Sequence, residues 1–363
     1  MIRPTMLPES PEKVRGLSYP YGMQAAPQPG EPIEIADGVF WLRFPMPMVL
    51  DHINLWLLRD GEAWTVVDTC LDLPASRALW EQLFHGFLRR RPIERVICTH
   101  LHPDHVGLAG WLTRQFDGEL WMSREEFLMC RLLTGDTGRE APEQAIRFYR
   151  AAGFTEAQLN AYCRRFGEFG AAISTLPDSY RRLVDGETIQ IDGRYWQVVV
   201  GSGHSTEHVC LYCPALKLLI SGDQVLPRIS SNVSVFPTEP KGDPLTEWLN
   251  SSARIRRNLP DDVLVLPAHQ TPFQGLHVRL TQLIESHERN LDRLFEFLAE
   301  PRRAVDCFPA LFQREITGGL LQMATGEALA HLNCLLDRRM LIKRRDSQGV
   351  DWYERKAETT ECD

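Results

Sequence analysis

Residues 93–107, IERVICTHLHPDHVG, run from a short apolar, β-branched segment into three histidines and one aspartate within six positions. Glu94–Cys98 reads as a strand, and a helix is predicted over Leu108–Phe116, so the polar cluster falls at a strand's C-terminal end. His100 and His102, two apart on extended chain, can aim at one point. Asp104 and His105 follow in a loop, where the chain can turn their side chains to a second point. Imidazole and carboxylate donors of this kind suit Zn²⁺, Fe²⁺ or Mn²⁺. A fold that uses them has to bring further donors to the same place.

Three other segments have the required form, a short strand that ends in a polar residue among small ones. Gly201-Ser-Gly-His204-Ser-Thr-Glu-His208 follows YWQVVV, Ser221-Gly222-Asp223 follows LKLLI, and Leu266-Pro-Ala-His269 follows DDVLV. Singly, a His or Asp at a strand end is read as a cap or a core hydrogen bond. Four strand ends furnished with ligand types together point to a metal site.

The rest of the chain supplies the frame. Strands are predicted at Val39–Arg43, Ile53–Leu58 and Trp64–Asp68, the last two joined by Arg59-Asp60-Gly61, a turn that tolerates positive φ. A helix starts near Pro74, with Leu79, Trp80, Leu83, Phe84, Phe87 and Leu88 as its apolar stripe. Helical segments dominate 123–182, and strands return at Glu187–Ile191, Tyr195–Val200, Val209–Cys213, Leu218–Ile220 and Val263–Leu266. This order predicts an α/β two-sheet sandwich flanked by helices, with a helical insertion. Toward the end, helices at about Leu276–Glu300 and Thr325–Arg338 precede two short strands joined by Asp346-Ser-Gln-Gly349, the order of a winged helix. The expected boundaries are an irregular N-terminal arm over 1–30, the main domain over 31–285 with its insertion at about 123–182, and a winged-helix-like domain over 286–363.

Composition excludes some partners. With 48 acidic against 40 basic residues the net charge is −8, so no global field draws the chain to nucleic acid or anionic lipid. No apolar run has signal-peptide or membrane-spanning length, and a cytoplasmic location without membrane association is expected. The nine cysteines show no disulfide spacing; Cys210 and Cys213 lie three apart on a strand, face opposite ways, and are read as core thiols.

The ordered set Asp68, HLHPDH, His204, Asp223 and His269 resembles the metallo-β-lactamase superfamily over residues of roughly 35–275. The resemblance implies an αββα sandwich with two divalent metal ions at one edge, Zn²⁺ first and Fe²⁺ or Mn²⁺ as alternatives. It implies that His100, His102 and His204 hold one ion, that Asp104, His105 and His269 hold the other, and that Asp223 bridges. Asp68 and His208 would support the ligands by hydrogen bonds rather than bind metal. Asp104 and Asp223 are the expected catalytic residues, with a metal-bound hydroxide attacking an ester-type bond.

The ligand set is unlike that of true β-lactamases, which commonly carry Cys or His where this chain has Asp223, and it is shared with glyoxalase II-like thioesterases, lactonases and nucleases. A small-molecule thioester or other acyl ester is the preferred substrate. The insertion is expected to restrict access to the site, although Phe127, Phe148, Tyr149, Phe154, Tyr162 and Phe166 read chiefly as packing. Val225–Pro237, with Arg228, is a second expected wall. The alternatives are a lactonase, an endoribonuclease-like phosphodiesterase whose winged helix binds RNA, and a winged-helix DNA-binding regulator with a metal-bound sensor domain. Arg338, Arg339, Lys343, Arg344 and Arg345 are interleaved with Asp337, Asp346, Asp351 and Glu354, so nucleic acid is not favoured. The small domain is expected to serve as structural cover or as a homodimer contact.

Overall fold

The computed structural model describes residues 11–24, 26–89 and 91–356; the first part of the expected N-terminal arm and the acidic tail lie outside them. The chain divides into two compact units. One takes the residues up to Thr137 with Gly167–Ser231 and Arg254–Leu280, and the other takes Gly138–Phe166, Asn232–Ala253 and the residues from Thr281 onward.

The first unit is a sandwich of two sheets. Within the stretch expected to be irregular, β1 (Glu12–Val14) and β2 (Leu17–Tyr19) pair as a small antiparallel hairpin. The larger sheet runs in chain order from β3 (Ile33–Ala36) through β4 (Val39–Pro45), β5 (His52–Asp60), β6 (Ala63–Val67), β7 (Ile93–Ile97) and β8 (Glu119–Met122) to β9 (Arg181–Arg182). The smaller one runs β10 (Thr188–Ile191), β11 (Arg194–Gly201), β12 (His208–Cys213), β13 (Leu218–Gly222) and β14 (Leu264–Pro267). The β5–β6 hairpin turns at Gly61, whose φ of 60° is the left-handed conformation that the Asp-Gly pair predicts. Strands β8 and β9 escaped the sequence reading because each is short, four and two residues long.

Strands β4, β5 and β6 of the larger sheet are buried on both faces, which is why they read as near-continuous apolar runs. Along β4, Phe40, Leu42 and Phe44 face the helices Pro74–His85, Ala109–Phe116 and Arg124–Gly135, through Trp80, Leu83, Leu112 and Phe127. The alternate residues Val39 and Trp41 join Trp56, Val67 and Ile97 against Trp196, Val198, Leu211, Ile220 and Leu266 of the second sheet. The period-two alternation thus builds two cores from one strand. Cys210 and Cys213 are buried free thiols, as expected of core cysteines.

This architecture sets the site. Strands β6 and β7 are parallel neighbours in one sheet, and β13 and β14 are parallel neighbours in the other. Parallel strands deliver their C-terminal ends to the same edge. Asp68, the His100–His105 loop, Asp223 and His269 all follow such ends, and His204 follows β11.

In the second unit, the helices Glu143–Ala151 and Glu156–Arg165 bury Tyr149, Phe154 and Tyr162, with Phe148, Phe166, Val305 and Leu321 packed around them. Those aromatics therefore pack together, whereas Phe127 belongs to the main core, stacked on Tyr180. Helices Leu276–Phe297 and Leu321–Asp337 precede β15 (Leu341–Arg345) and β16 (Asp351–Arg355), an antiparallel pair. Their turn is organised by Asp346, whose carboxylate accepts the N–H groups of Gln348, Val350 and the Trp352 indole at 2.9–3.0 Å. Four of the five basic residues of the cluster are paired with carboxylates: Arg338 with Glu288, Arg345 and Lys343 with Asp351, and Arg344 with Glu354. Among the described residues no helix is long and apolar enough to cross a membrane.

Candidate metal centre

The strand ends converge. Three groups of donors have their ligand atoms within 4.8 Å of one another: His100, His102 and His204; His100, His105 and Asp223; and Asp104, His105 and His269. Asp223 lies between the outer two. Its Oδ2 is 3.4 Å from His204 Nε2 and 3.7 Å from His105 Nε2, while its Oδ1 is 3.2 Å from His269 Nε2. Asp104 Oδ2 is 3.5 Å from His269 Nε2 and 3.7 Å from His105 Nε2. All seven residues that the sequence nominated as ligands are brought together.

Each ring is aimed by a neighbour. Asp68 lies outside the three groups; its Oδ2 is 2.8 Å from His105 Nδ1, and its Oδ1 accepts the Thr99 N–H at 2.8 Å. A carboxylate at Nδ1 fixes the proton there and leaves Nε2 facing the cluster. His208 is also outside the groups, and its Nε2 accepts the Asp223 N–H at 3.0 Å. The sequence reading did not single out His52. Its carbonyl accepts the His269 Nδ1–H at 2.7 Å, and its own Nε2 accepts the Gln270 N–H at 2.7 Å. Its Nδ1 rests 2.6 Å from Asp51 Oδ1. The one local signal for it was an Asp-His pair at the start of a strand.

The donor set fits divalent cations. His105 Nε2, His269 Nε2 and Asp223 Oδ1 are buried and make no hydrogen bond, although a buried polar atom normally has a partner. His100 Nε2 and His102 Nδ1 stand 2.8 Å apart. Two imidazole nitrogens at that distance need a proton or a cation between them. Burial, reinforced by the neighbouring imidazoles His105 and His204, holds His100 and His102 well below the ordinary histidine range, so both offer lone pairs. For His105 burial pulls down, but Asp68, Asp104 and Asp223 outweigh it and raise the ring. At Asp223 burial pushes up, yet His269 and His105 hold the carboxyl well below its usual range. Positive charge is stabilised at the centre of the cluster, by protons or by metal.

Comparison with known proteins decides the family. Residues 48–269 match the model of the metallo-beta-lactamase superfamily, and residues 291–356 match that of a metallo-beta-lactamase-like C-terminal domain. The chain belongs to the metallo-β-lactamase superfamily. A crystal structure of a beta-lactamase domain protein from Burkholderia ambifaria superposes with a TM-score of 0.86 at 39% identity, covering 94% of this chain and 98% of that one. A probable metallo-hydrolase, YqjP, from Bacillus subtilis (strain 168) is 24% identical over 82% of this chain and 92% of its own length. The human acyl-coenzyme A thioesterase MBLAC2 is 28% identical over 53% of this chain and 64% of its own. The superfamily's α/β sandwich is the fold seen here, and its metallo-hydrolase character agrees with the cluster at the sheet edge. The C-terminal match covers the end of the helix Leu276–Phe297, the helix Leu321–Asp337 and the β15–β16 hairpin.

Proposed function

We propose that this metallo-hydrolase cleaves acyl thioesters of small molecules, using two divalent cations, Zn²⁺ by preference. In this reading His100, His102 and His204 hold one ion, Asp104, His105 and His269 hold the other, and Asp223 reaches both. The observation that carries it is the position of Asp223, whose two carboxylate oxygens lie 3.2–3.7 Å from a histidine of each group. When bound, the ions supply a nucleophile by lowering the pKa of water from ~15.7 to about 7.

The chain's own groups then do the rest. Asp104, whose Oδ2 lies 3.5 Å from His269 Nε2 and 3.7 Å from His105 Nε2, would orient that nucleophile. Asp68 keeps the proton of His105 on Nδ1, and the His52 carbonyl keeps that of His269 on Nδ1, so both Nε2 atoms stay available as ligands. His208 uses its Nε2 to hold the Asp223 backbone. The clustered imidazoles are thereby committed as ligands or as supports. A thiolate, whose parent thiol has a pKa of ~8.5, departs without an acid to protonate it. An alkoxide leaving group would need one. The likeness to a relative named as an acyl-coenzyme A thioesterase supports the same choice. The pairing of the basic strip at Arg338–Arg345 with carboxylates argues against the RNA-cleaving alternative.

The test is a hydrolysis screen of the Zn²⁺-loaded protein against acyl-CoA, acyl-glutathione, lactone and RNA substrates, with Asp104→Ala as control. Thioester turnover that the substitution abolishes is expected; RNA or lactone cleavage without thioester turnover overturns the proposal. We further propose that the C-terminal elements form a winged-helix-like domain that serves as cover or as a homodimer contact, and that the protein acts in the cytoplasm.

A further inference from the structure

A buried carboxylate that the mechanism does not use ties together the two loops that carry the first group of ligands. Glu126 lies in the first turn of the helix Arg124–Gly135 and is wholly buried. Its Oε2 accepts the Leu101 N–H at 2.9 Å, and Leu101 sits between His100 and His102. Its Oε1 accepts the Glu207 N–H at 2.9 Å and the Thr206 hydroxyl at 3.2 Å, on the loop that begins at His204. The helix start grips that loop a second time. Ser123 Oγ donates to the Glu207 carbonyl at 2.7 Å, and the Glu125 N–H donates to the Glu207 carboxylate at 2.9 Å.

We propose that Glu126 is a positioning residue that sets the spacing of His102 and His204, and so governs cation affinity at the His100/His102/His204 group in particular. The inference rests on the reading that this group holds a metal ion. Its physical basis is that two loops from different sheets have no covalent link near the site, so their separation depends on what bridges them. A carboxylate that accepts from both is a short, charge-assisted bridge. Burial raises the Glu126 carboxyl above its ordinary range, against the pull of the Glu207 and Leu101 N–H groups. A buried acid is retained at such a cost only where its acceptors are all in use. Asp68 acts differently, on the ring of His105 in the other group.

Glu126→Gln tests the clamp, because the amide has the same shape but turns one oxygen into a donor. Whichever way it is placed, an NH₂ then faces an N–H, and one loop is released. Zn²⁺ uptake is read by competition with a chromophoric chelator, and the site geometry by the visible absorption of the Co²⁺-loaded protein. Wild type is expected to take up two ions in two steps. In Glu126→Gln one step should weaken about 10–100-fold with a changed Co²⁺ spectrum, while the other stays in place. Thr206→Val, which removes one donor from an exposed residue, should move the same step by less, and it decides the matter if Glu126→Gln does not fold. Two ions in wild type with unmoved uptake in the variants, or equal weakening of both steps, overturns the clamp alone. A wild type that takes up fewer than two ions overturns the reading beneath it.

Discussion

His105 Nδ1 lies 2.8 Å from Asp68 Oδ2, with both side chains buried. Asp68 follows β6 with a φ of 62°, a left-handed conformation that Asp and Asn tolerate and most residues do not. Asp68→Asn therefore keeps the backbone, removes the charge and turns one acceptor into an NH₂ donor. Metal affinity and kcat/KM should each fall about 10–100-fold, with little change in fold stability. Chelator competition beside a thioester assay checks both. Unchanged affinity would mean that Asp68 does not orient His105.

Gly222 stands directly before Asp223 with a φ of 49°, and a Cβ there would lie 2.6 Å from the His208 ring and 3.1 Å from Thr99 Cβ. Gly222→Ala should cost about 1–3 kcal/mol from crowding and backbone strain. It should also displace Asp223 and lower activity beyond what the stability loss explains. In a His208→Ala background the ring is gone, and the cost of Gly222→Ala should shrink by at least ~0.5 kcal/mol. Urea midpoints of the four proteins supply the cycle. Strictly additive effects would show that His208 does not occupy the space.

The donor residues were legible in the sequence because each follows a short apolar strand and stands among small or polar residues, as at His100, His204, Asp223 and His269. The helices with strong apolar stripes were legible for a similar reason. What the sequence hid are partners that act across long separations. Glu126 looks like any surface acid at a helix start, and its role exists only because Leu101 and Glu207 fold against it. His52 works through its carbonyl, which carries no residue-specific signal. Strand β9, two residues long, falls below any periodicity. The helix Pro244–Asn258 went unassigned because Asn250, Ser251 and Ser252 interrupt its pattern.

Metal uptake should release protons. In the metal-free cluster His105 is held well above the ordinary histidine range and His269 is also raised, burial being outweighed in each case by carboxylates that include Asp223. Both rings therefore hold a second proton more firmly than a free histidine, whereas His100 and His102 hold one less firmly. A cation binds the neutral imidazole, so loading displaces protons from these rings, and affinity weakens as pH falls. Calorimetric Zn²⁺ titrations in buffers of differing ionisation enthalpy measure the number. A value near zero would contradict the ion-pair picture of the free site.

The second unit should carry an acid-labile element of its own. His331 Nδ1 lies 2.8 Å from the Glu327 carbonyl, and its Nε2 is 3.3 Å from His287 Nδ1. With the His331 proton on Nδ1, His287 donates to His331, and a further proton on His331 sets two N–H groups against each other. Burial pushes His331 down to about 4, and burial with the neighbouring ring pushes His287 down to about 3, from an ordinary 6.5. Between pH 6.5 and 4 the unfolded chain binds protons that the folded unit cannot, so stability falls as pH drops through that window. Glu327, raised to about 7 by burial against the pull of Asn232, acts in the opposite sense, since the folded unit keeps a proton that the unfolded chain releases above about 4.5. Two histidines against one carboxyl leave net acid lability. His331→Gln should remove one titrating group and reduce the slope of stability against pH, over about pH 4.5–6, by about 1 kcal/mol per pH unit. Urea midpoints of both proteins, each stripped of metal so that ligand protonation cancels, give the slopes. Parallel profiles would show that these rings take up protons without unfolding the unit.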